Sequence, residues 1–225
     1  MKKHSVDWKH SVMNICGIQT SVGFLPALPL LGLGLLTSSL YLAAALEPQL
    51  DMFEGVRQVD WIDGDHFFEV TNPPYLAYTY KMRMAKDFGG QFNCSLKDVL
   101  LVPANPFNGC GYPRNDDLLK GNVALVERGD CSFLSKVLQM QRAGAIAALV
   151  TDEDEYEDYL MIHMIEDGTE RNPFIPAAFI VGKNGHMIYR SLQQMGLKFA
   201  VINIPVNVTN TPIHKLKLPP WVIWR

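Results

Sequence analysis

Cys131 is the residue whose surroundings come closest to those of a catalytic nucleophile. It stands directly before Ser132, where the sequence predicts the start of a helix, and the positive end of a helix dipole lowers the pKa of a nearby thiol. A nucleophilic cysteine also needs a base, and the nearest candidates, His163 and His186, lie in no recognisable cysteine-protease context. We therefore expect a structural cysteine and no catalytic residue.

The triplet before it, Arg128-Gly129-Asp130, spells the sequence that integrins recognise in adhesion proteins. Adhesion triplets normally project from a surface, whereas this one joins a predicted strand to a predicted helix. Gly129 suits a tight turn, and the side-chain oxygens of Asp130 and Ser132 are expected to accept hydrogen bonds from the first amides of the helix. The pattern favours a structural turn over an adhesion site.

Two polar clusters have metal-binding residue types without the spacing that a metal site needs. The acidic run Thr151–Asp158 has Tyr156 where an EF-hand needs a ligand oxygen, and it has no glycine at the sixth loop position. The stretch that begins at His163 lacks the second histidine of a zinc-binding helix. The sequence also lacks the glycine-rich nucleotide-binding motifs and the G-x-S-x-G hydrolase motif. We expect no metal and no cofactor, and we interpret the acidic run as a solvated loop.

The cysteine and the triplet lie within a predicted β-α-β unit. A β-rich run at Val123–Glu127 precedes a helix at 132–143, and a buried strand at 145–151 follows. Ser132 is suited to cap the helix and Gly144 to end it. Its apolar face has five members: Phe133, Leu134, Val137, Leu138 and Met140. Its largely opposite, polar face carries Ser135, Lys136, Gln139 and Arg142.

A second unit follows the same plan, with a strand at 177–181, a helix at 185–195 and a returning strand at 199–204. The inner face of that helix has three apolar members: Ile188, Leu192 and Met195. Further strands are predicted ahead of the first unit, at 66–70, 75–80 and 98–104. Together the segments predict an α/β fold.

The first 45 residues have the organisation of a secretory signal peptide. Three lysines precede an uncharged run, Val22–Leu46, which contains an A-x-A pattern that signal peptidase could cut after Ala45. The same run is long enough to act as a signal anchor instead, although the prolines and glycines within it favour cleavage. In both cases the rest of the chain faces the lumen or the outside.

Charge, cysteines and sequons fit an extracellular protein. Removing 45 residues takes away three lysines and one aspartate, which changes the net charge from −3 to −5, so nucleic acid is not an expected partner. Cys94, Cys110 and Cys131 remain; an oxidising compartment favours a disulfide, and the spacing does not choose the pair. Asn93 and Asn207 begin N-x-S/T sequons and are candidate glycosylation sites.

The stretch Val123–Lys136 resembles the core motif of the protease-associated (PA) domain family. The shared features are a strand, an R-G-x-C turn, an aromatic residue and a lysine in the following helix. The wider resemblance runs from His66 to Arg225 and includes "IPAAFIVGKNGHMIYRSL". It implies an α/β fold with a mixed, partly barrel-like sheet flanked by helices, a disulfide between Cys110 and Cys131, and a role as a protein-binding module or substrate lid without catalytic residues. Asp130 stands where the resemblance leads us to expect glycine.

On this basis the chain divides into four segments: a signal peptide (1–45), a flexible lead-in (46–65), a PA domain (66–211) and a C-terminal Pro/Trp tail (212–225), whose tryptophans we expect to close over the core. The expected function is that of a secreted, non-enzymatic glycoprotein whose stand-alone PA domain binds an unidentified protein or peptide. No stable membrane insertion is expected after signal cleavage. The alternatives are an extracellular hydrolase, an Arg-Gly-Asp-dependent integrin-binding adhesion protein and a signal-anchored lumenal PA protein.

The signal-peptide interpretation predicts where the secreted chain begins. N-terminal sequencing of protein recovered from culture medium should start near Leu46, because the small residues Ala43 and Ala45 suit signal peptidase. Membrane-bound protein that resists carbonate extraction and keeps Met1 would instead establish the signal anchor.

Overall fold

The computed structural model describes residues 65–209 and 211–222, and these residues build a closed barrel with short flanking helices. The strands are β1 (Asp65–Asn72), β2 (Thr79–Met84), β3 (Leu96–Pro103), β4 (Val123–Glu127), β5 (Ala147–Thr151), β6 (Ala177–Ile180) and β7 (Ala200–Ile204). The helices are α1 (Asp116–Leu119), α2 (Phe133–Arg142) and α3 (Gly182–Gln194). The predicted signal peptide and all but the last residue of the predicted lead-in lie outside the described residues.

The sheet is mixed, as the sequence predicts. Around the barrel the strand order is β1-β2-β6-β5-β4-β3-β7, with β7 returning to β1. Strands β3, β4, β5 and β6 pair in parallel, and the remaining pairs are antiparallel. The α/β class and the barrel-like mixed sheet are therefore confirmed. Closure of the barrel pairs both sides of each described strand, so these strands offer no free edge to which another strand could be added.

The first predicted unit is confirmed in its elements and topology, although its second strand starts at Ala147, two residues later than predicted. β4 and β5 are parallel neighbours connected through α2. The Ser132 hydroxyl accepts a hydrogen bond from the amide of Ser135 at the start of α2, and Gly144 takes a positive φ of 87° after its end. Leu134, Val137 and Met140 are fully buried, as the apolar periodicity predicts.

The second predicted unit is wrong in its topology. β7 does not return beside β6; it lies between β3 and β1 and is antiparallel to both. Every residue of β5 and β6 is buried, whereas the residues of β7 alternate between buried and partly exposed. That alternation is typical of a strand with one open face, which suits the antiparallel side of the barrel.

Three local predictions also need correction. α3 begins at Gly182, three residues earlier than predicted. Met195 is 41% exposed at its end and does not belong to the inner face that Ile188 and Leu192 form. Part of the predicted strand at 75–80 is a 3₁₀ turn, Pro74–Leu76, and β2 starts only at Thr79, because a proline at the first position of a short helical turn is already in the required conformation.

The hydrophobic core has two parts that share the same strands. The barrel interior takes residues from all seven strands, among them Phe68, Tyr80, Leu125 and Leu149, and Ile188 of α3 packs into it. The alternate residues of β4 and β5, such as Val126 and Val150, face outwards and pack beneath α2. Both faces of these parallel strands are therefore covered with apolar side chains.

The tail packs onto the barrel where the described residues include it. The Trp221 indole lies edge-on to Tyr78, with ring centroids 5.2 Å apart, and donates a hydrogen bond to Asn184 at 3.0 Å. The carbonyl of Lys217 accepts a hydrogen bond from the amide of Thr79. The expectation that a tail tryptophan closes over the core is met by Trp221.

The close approach of α3 to β5 depends on Gly185. A Cβ atom at this position would overlap the Thr151 side chain. Gly185→Ala should therefore destabilise the protein by about 1–3 kcal/mol, the usual cost of forcing an extra methyl group into a packed contact. The readout is the unfolding temperature, followed by circular dichroism.

Gly111→Ala is the matched control, since no atom lies within 4 Å of the added methyl group. Its effect should stay within about 0.5 kcal/mol. Equal unfolding temperatures for Gly185→Ala and the parent protein would contradict this packing.

Candidate functional site

The segments that could carry function gather where the parallel strands end. The loop 104–115 follows β3, the turn 128–132 follows β4, and the connection 152–176 follows β5. Because β3, β4 and β5 are parallel neighbours, these three segments start from the same end of the barrel. Functional residues of α/β proteins commonly collect at the carboxyl ends of such strands.

Lys136 is fully buried, which the helical pattern did not predict. Its ammonium donates hydrogen bonds of 2.6 Å to the carbonyl oxygens of Asn108 and Gly129, and it lies 3.3 Å from the Cys110 sulfur. Loss of solvent lowers the pKa of the Lys136 amine, while nearby carboxylates act in the opposite direction. The long side chain thus ties the loop 104–115 to the turn 128–132.

A disulfide joins the same two segments. Cys110 lies in the loop 104–115 and Cys131 in the turn 128–132, and the two are bonded, as the resemblance implied. In the chain-entropy description, closing a loop of this length stabilises the fold by about 3 kcal/mol. With its sulfur bonded, Cys131 is not available as a thiolate nucleophile, and His186 contacts Asp152 and Glu127 instead. The other candidate base, His163, is exposed on the connection 152–176.

The Arg-Gly-Asp triplet forms the predicted turn with one difference. Gly129 and Asp130 both have positive φ, 102° and 63°, a region that glycine enters without steric cost and other residues rarely do. This explains why glycine is expected at the second of these positions. Asp130 does not cap α2 as predicted; its carboxylate accepts a hydrogen bond from the Asn108 amide at 2.9 Å.

The Arg128 side chain of the triplet is committed to an internal ion pair. Its guanidinium lies 2.9 Å from the buried carboxylate of Asp152. The backbone carbonyl of Asp152 in turn lies 3.1 Å from the ring of His186 on α3. The turn 128–132 is therefore fastened to the start of the connection after β5.

The connection 152–176, which we call the acidic loop, has neither helix nor strand over its 25 residues. Three of its carboxylates fold it locally. Asp152 accepts from the amide of residue 154, Asp154 accepts from the amide of residue 156, and Glu157 accepts from the amides of residues 159 and 160. These contacts refine the prediction of a solvated loop, since part of the negative charge is used to shape the backbone. Among the described residues, no group of acidic, histidine or cysteine side chains is arranged to hold a metal ion.

The acidic loop also exposes large apolar side chains, which sequence reasoning missed. Tyr156 is 76% exposed, Tyr159 66% and Leu160 52%. Ile165 and Phe174 are exposed further along the loop. These five apolar residues lie within one connection of the sequence, and a cluster of exposed apolar side chains is typical of a contact surface.

The far part of the acidic loop is attached to α2. The Ser132 hydroxyl donates to Asp167, and Arg171 pairs with the same carboxylate at 2.8 Å. Hydrogen bonds from Ser132 and Thr169 hold the pKa of Asp167 at about 2. Because this pKa is depressed from 3.8, the attachment is present above about pH 4 and is lost only as the pH falls through about 2.

The candidate glycosylation sites lie in the connection between β2 and β3 and in the segment after β7. Asn93 and Asn207 are both exposed. The Asn207 side chain accepts a hydrogen bond from the amide of Thr209, the third residue of its sequon. Both asparagines remain predicted acceptors.

Known proteins resemble this chain in sequence and in structure. A family model described as "PA domain" matches residues 97–188. The "PRADC1-like protein" of Drosophila melanogaster is 47% identical over 169 residues, which cover 73% of this chain and 85% of that protein. "ER degradation-enhancing alpha-mannosidase-like protein 3" of Homo sapiens is 32% identical over 98 residues, covering 42% of this chain and 10% of that protein.

Among solved structures, the zinc aminopeptidase BSAP of Bacillus subtilis matches 61% of this chain and 29% of its own, with 19% identity and a TM-score of 0.44. The similarity to the Drosophila protein extends over most of both chains, and the family model includes the disulfide, the turn 128–132 and Lys136. The chain belongs to the PA-domain family.

Proposed function

We propose that this protein is a secreted, non-enzymatic PA-domain glycoprotein that binds another protein or peptide through the acidic loop. The observation that carries the proposal is the exposure of Tyr156, Tyr159 and Leu160 on a loop that its own hydrogen bonds hold in shape. Aromatic side chains contribute much of the energy of protein interfaces. A surface that is already ordered loses less conformational entropy on binding than a flexible one.

The fixed ends of the acidic loop support this role. Its start is held by the Arg128–Asp152 pair, and Lys183 of α3 pairs with Asp158 at 3.3 Å. Its far end is held where the Gln141 side chain accepts from the amide of Phe174 at 2.7 Å. Long connections without secondary structure in compact domains usually serve a function, and this one is anchored as a binding surface requires.

Charge indicates the kind of partner. The acidic loop contains nine carboxylates and a single arginine, Arg171. Some carboxylates are neutralised by cations from elsewhere, as when Arg190 of α3 pairs with Glu155. Glu153, Glu166 and Glu170 are exposed and form no ion pair with any residue that the structure describes. Complementary charge speeds association and selects partners. The surface therefore suits a segment that combines apolar side chains with lysine or arginine.

The contacts at the carboxyl ends of the strands favour binding over catalysis. Cys131 is bonded to Cys110, and the Lys136 ammonium donates to two backbone carbonyls. His186 is buried between α3 and the strand ends, where it faces Asp152. Side chains engaged in this way fasten loops together, whereas a nucleophile and its base need access to a substrate.

Secretion is supported by the signal-peptide pattern, the disulfide and the exposed sequons. Disulfides persist mainly in oxidising compartments. Glycans need exposed asparagines, and Asn207 and Asn93 are exposed. No helix in the described part of the chain is long and apolar enough to cross a membrane.

The binding surface can be tested by removing its apolar side chains. Crosslinking mass spectrometry should recover at least about tenfold less partner with the triple variant Tyr156→Ser/Tyr159→Ser/Leu160→Ser than with the parent protein. The reason is that each interface aromatic contributes about 1 kcal/mol or more to binding. Its unfolding temperature should change little, because the three side chains are exposed.

Tyr75→Ser is the matched control, since Tyr75 is 61% exposed but lies on the turn between β1 and β2. It should capture the same partner at the parental level. Undiminished capture by the folded triple variant would refute the acidic loop as the binding surface.

A further inference from the structure

The Cys110–Cys131 disulfide lies against a buried positive charge. The Lys136 ammonium is 3.3 Å from the Cys110 sulfur and is held there by its two 2.6 Å hydrogen bonds to carbonyl oxygens. The amine is fully removed from solvent, so its position is fixed by these contacts. To join the two segments, Lys136 needs only its hydrogen bonds to the two carbonyl oxygens. Its contact with the Cys110 sulfur is additional to that role.

We propose that this disulfide is a thiol–disulfide exchange site in which Lys136 stabilises Cys110 as the leaving thiolate. The substrate class is a thiol, either a small molecule such as glutathione or a cysteine of another protein. Stabilising the leaving sulfur accelerates exchange and directs attack to the other sulfur. Lys136 thus acts on the chemistry of the bond that it also helps to position.

The exchange is balanced in two steps. The incoming thiolate forms a new S–S bond with the Cys131 sulfur, the Cys110–Cys131 bond breaks, and its electron pair remains on Cys110 beside the ammonium. A second thiolate then attacks the mixed disulfide at the sulfur of the first thiol and releases Cys131. In this outcome the two thiols are oxidised to one disulfide and the protein gains two electrons. In the reverse outcome, the Cys110 thiolate attacks the Cys131 sulfur of the mixed disulfide, which re-forms the Cys110–Cys131 bond and releases the first thiol.

The surrounding charges define the electrostatic balance at this site. Glu127 at the end of β4, Asp130 in the turn and Glu153 in the acidic loop are the carboxylates that act on Lys136. Of these three carboxylates, the one that His186 of α3 approaches is Glu127, at 3.5 Å. Burial lowers the pKa of Lys136 and the three carboxylates act to raise it, but the same carboxylates disfavour a thiolate. The ammonium offsets this because it touches the Cys110 sulfur directly, and electrostatic attraction is strongest at contact distance.

Both cysteines are partly exposed, as the approach of a thiol requires. Breaking the disulfide would leave the loop 104–115 and the turn 128–132 joined through Lys136 and through the hydrogen bond from Asn108 to Asp130. The exchange proposal does not rest on partner binding by the acidic loop.

The first test is equilibrium with glutathione buffers, with the Cys110 and Cys131 peptides quantified by alkylation and mass spectrometry. At pH 8 the parent protein should be half-reduced at a GSH²/GSSG ratio about threefold lower than Lys136→Met, the shift expected at that pH if the ammonium lowers the pKa of the Cys110 thiol by about one unit from its ordinary value near 8.5. Loss of the two carbonyl hydrogen bonds also loosens Lys136→Met and so favours its reduction. The proposal requires thiolate stabilisation in the parent to outweigh this effect, and a variant that is reduced before the parent would overturn it. Lys198→Met, at an exposed position, should behave like the parent.

The second test needs no variant. Parent protein is treated briefly with limiting glutathione, quenched with acid, and treated with N-ethylmaleimide before peptide mapping. Glutathione should be found on Cys131 and the maleimide on Cys110. Glutathione mainly on Cys110, or no mixed disulfide while the protein remains folded, would overturn the proposal.

Discussion

The buried ammonium of Lys136 is the interaction on which the carboxyl end of the barrel depends. Removing a charge from water is costly unless hydrogen bonds replace the lost hydration. Here the replacement comes from the carbonyls of Asn108 and Gly129, which belong to different segments of the chain. The charge is satisfied only when both segments are in place, so one side chain couples the loop 104–115 to the turn 128–132. The disulfide makes the same connection covalent.

The acidic loop is attached at two points to the turn 128–132. Arg128 holds its first residue, Asp152, and Ser132 holds Asp167 fifteen residues further along. The exposed tyrosines therefore lie on a loop whose attachment points are held in place by the buried Lys136 and the Cys110–Cys131 disulfide. A cysteine, a lysine and a histidine, residue types that serve catalysis in other proteins, here fasten the loop 104–115, the turn 128–132 and the acidic loop to their neighbours.

Sequence patterns predicted the elements that depend on local periodicity and capping. The unit β4-α2-β5 follows from an apolar run, Ser132 and Gly144, and the resemblance to the PA family supplied the disulfide pair. The placement of β7 depends on pairing with β1 and β3, which lie more than 90 residues earlier in the chain and leave no local signature. Lys136 was placed on the polar face because a helical pattern assigns lysine to solvent, and only the folded chain brings two distant carbonyls to its amine.

Hydrogen–deuterium exchange of Lys136→Met, compared with the parent protein, tests most directly whether the ammonium couples the two segments. If the ammonium couples the segments, amides of 104–115, of 128–132 and of the first residues of the acidic loop should exchange faster together, while those of β7 keep the parental rate. Unchanged exchange in all of these segments, in a variant that has lost the ammonium, would contradict the account.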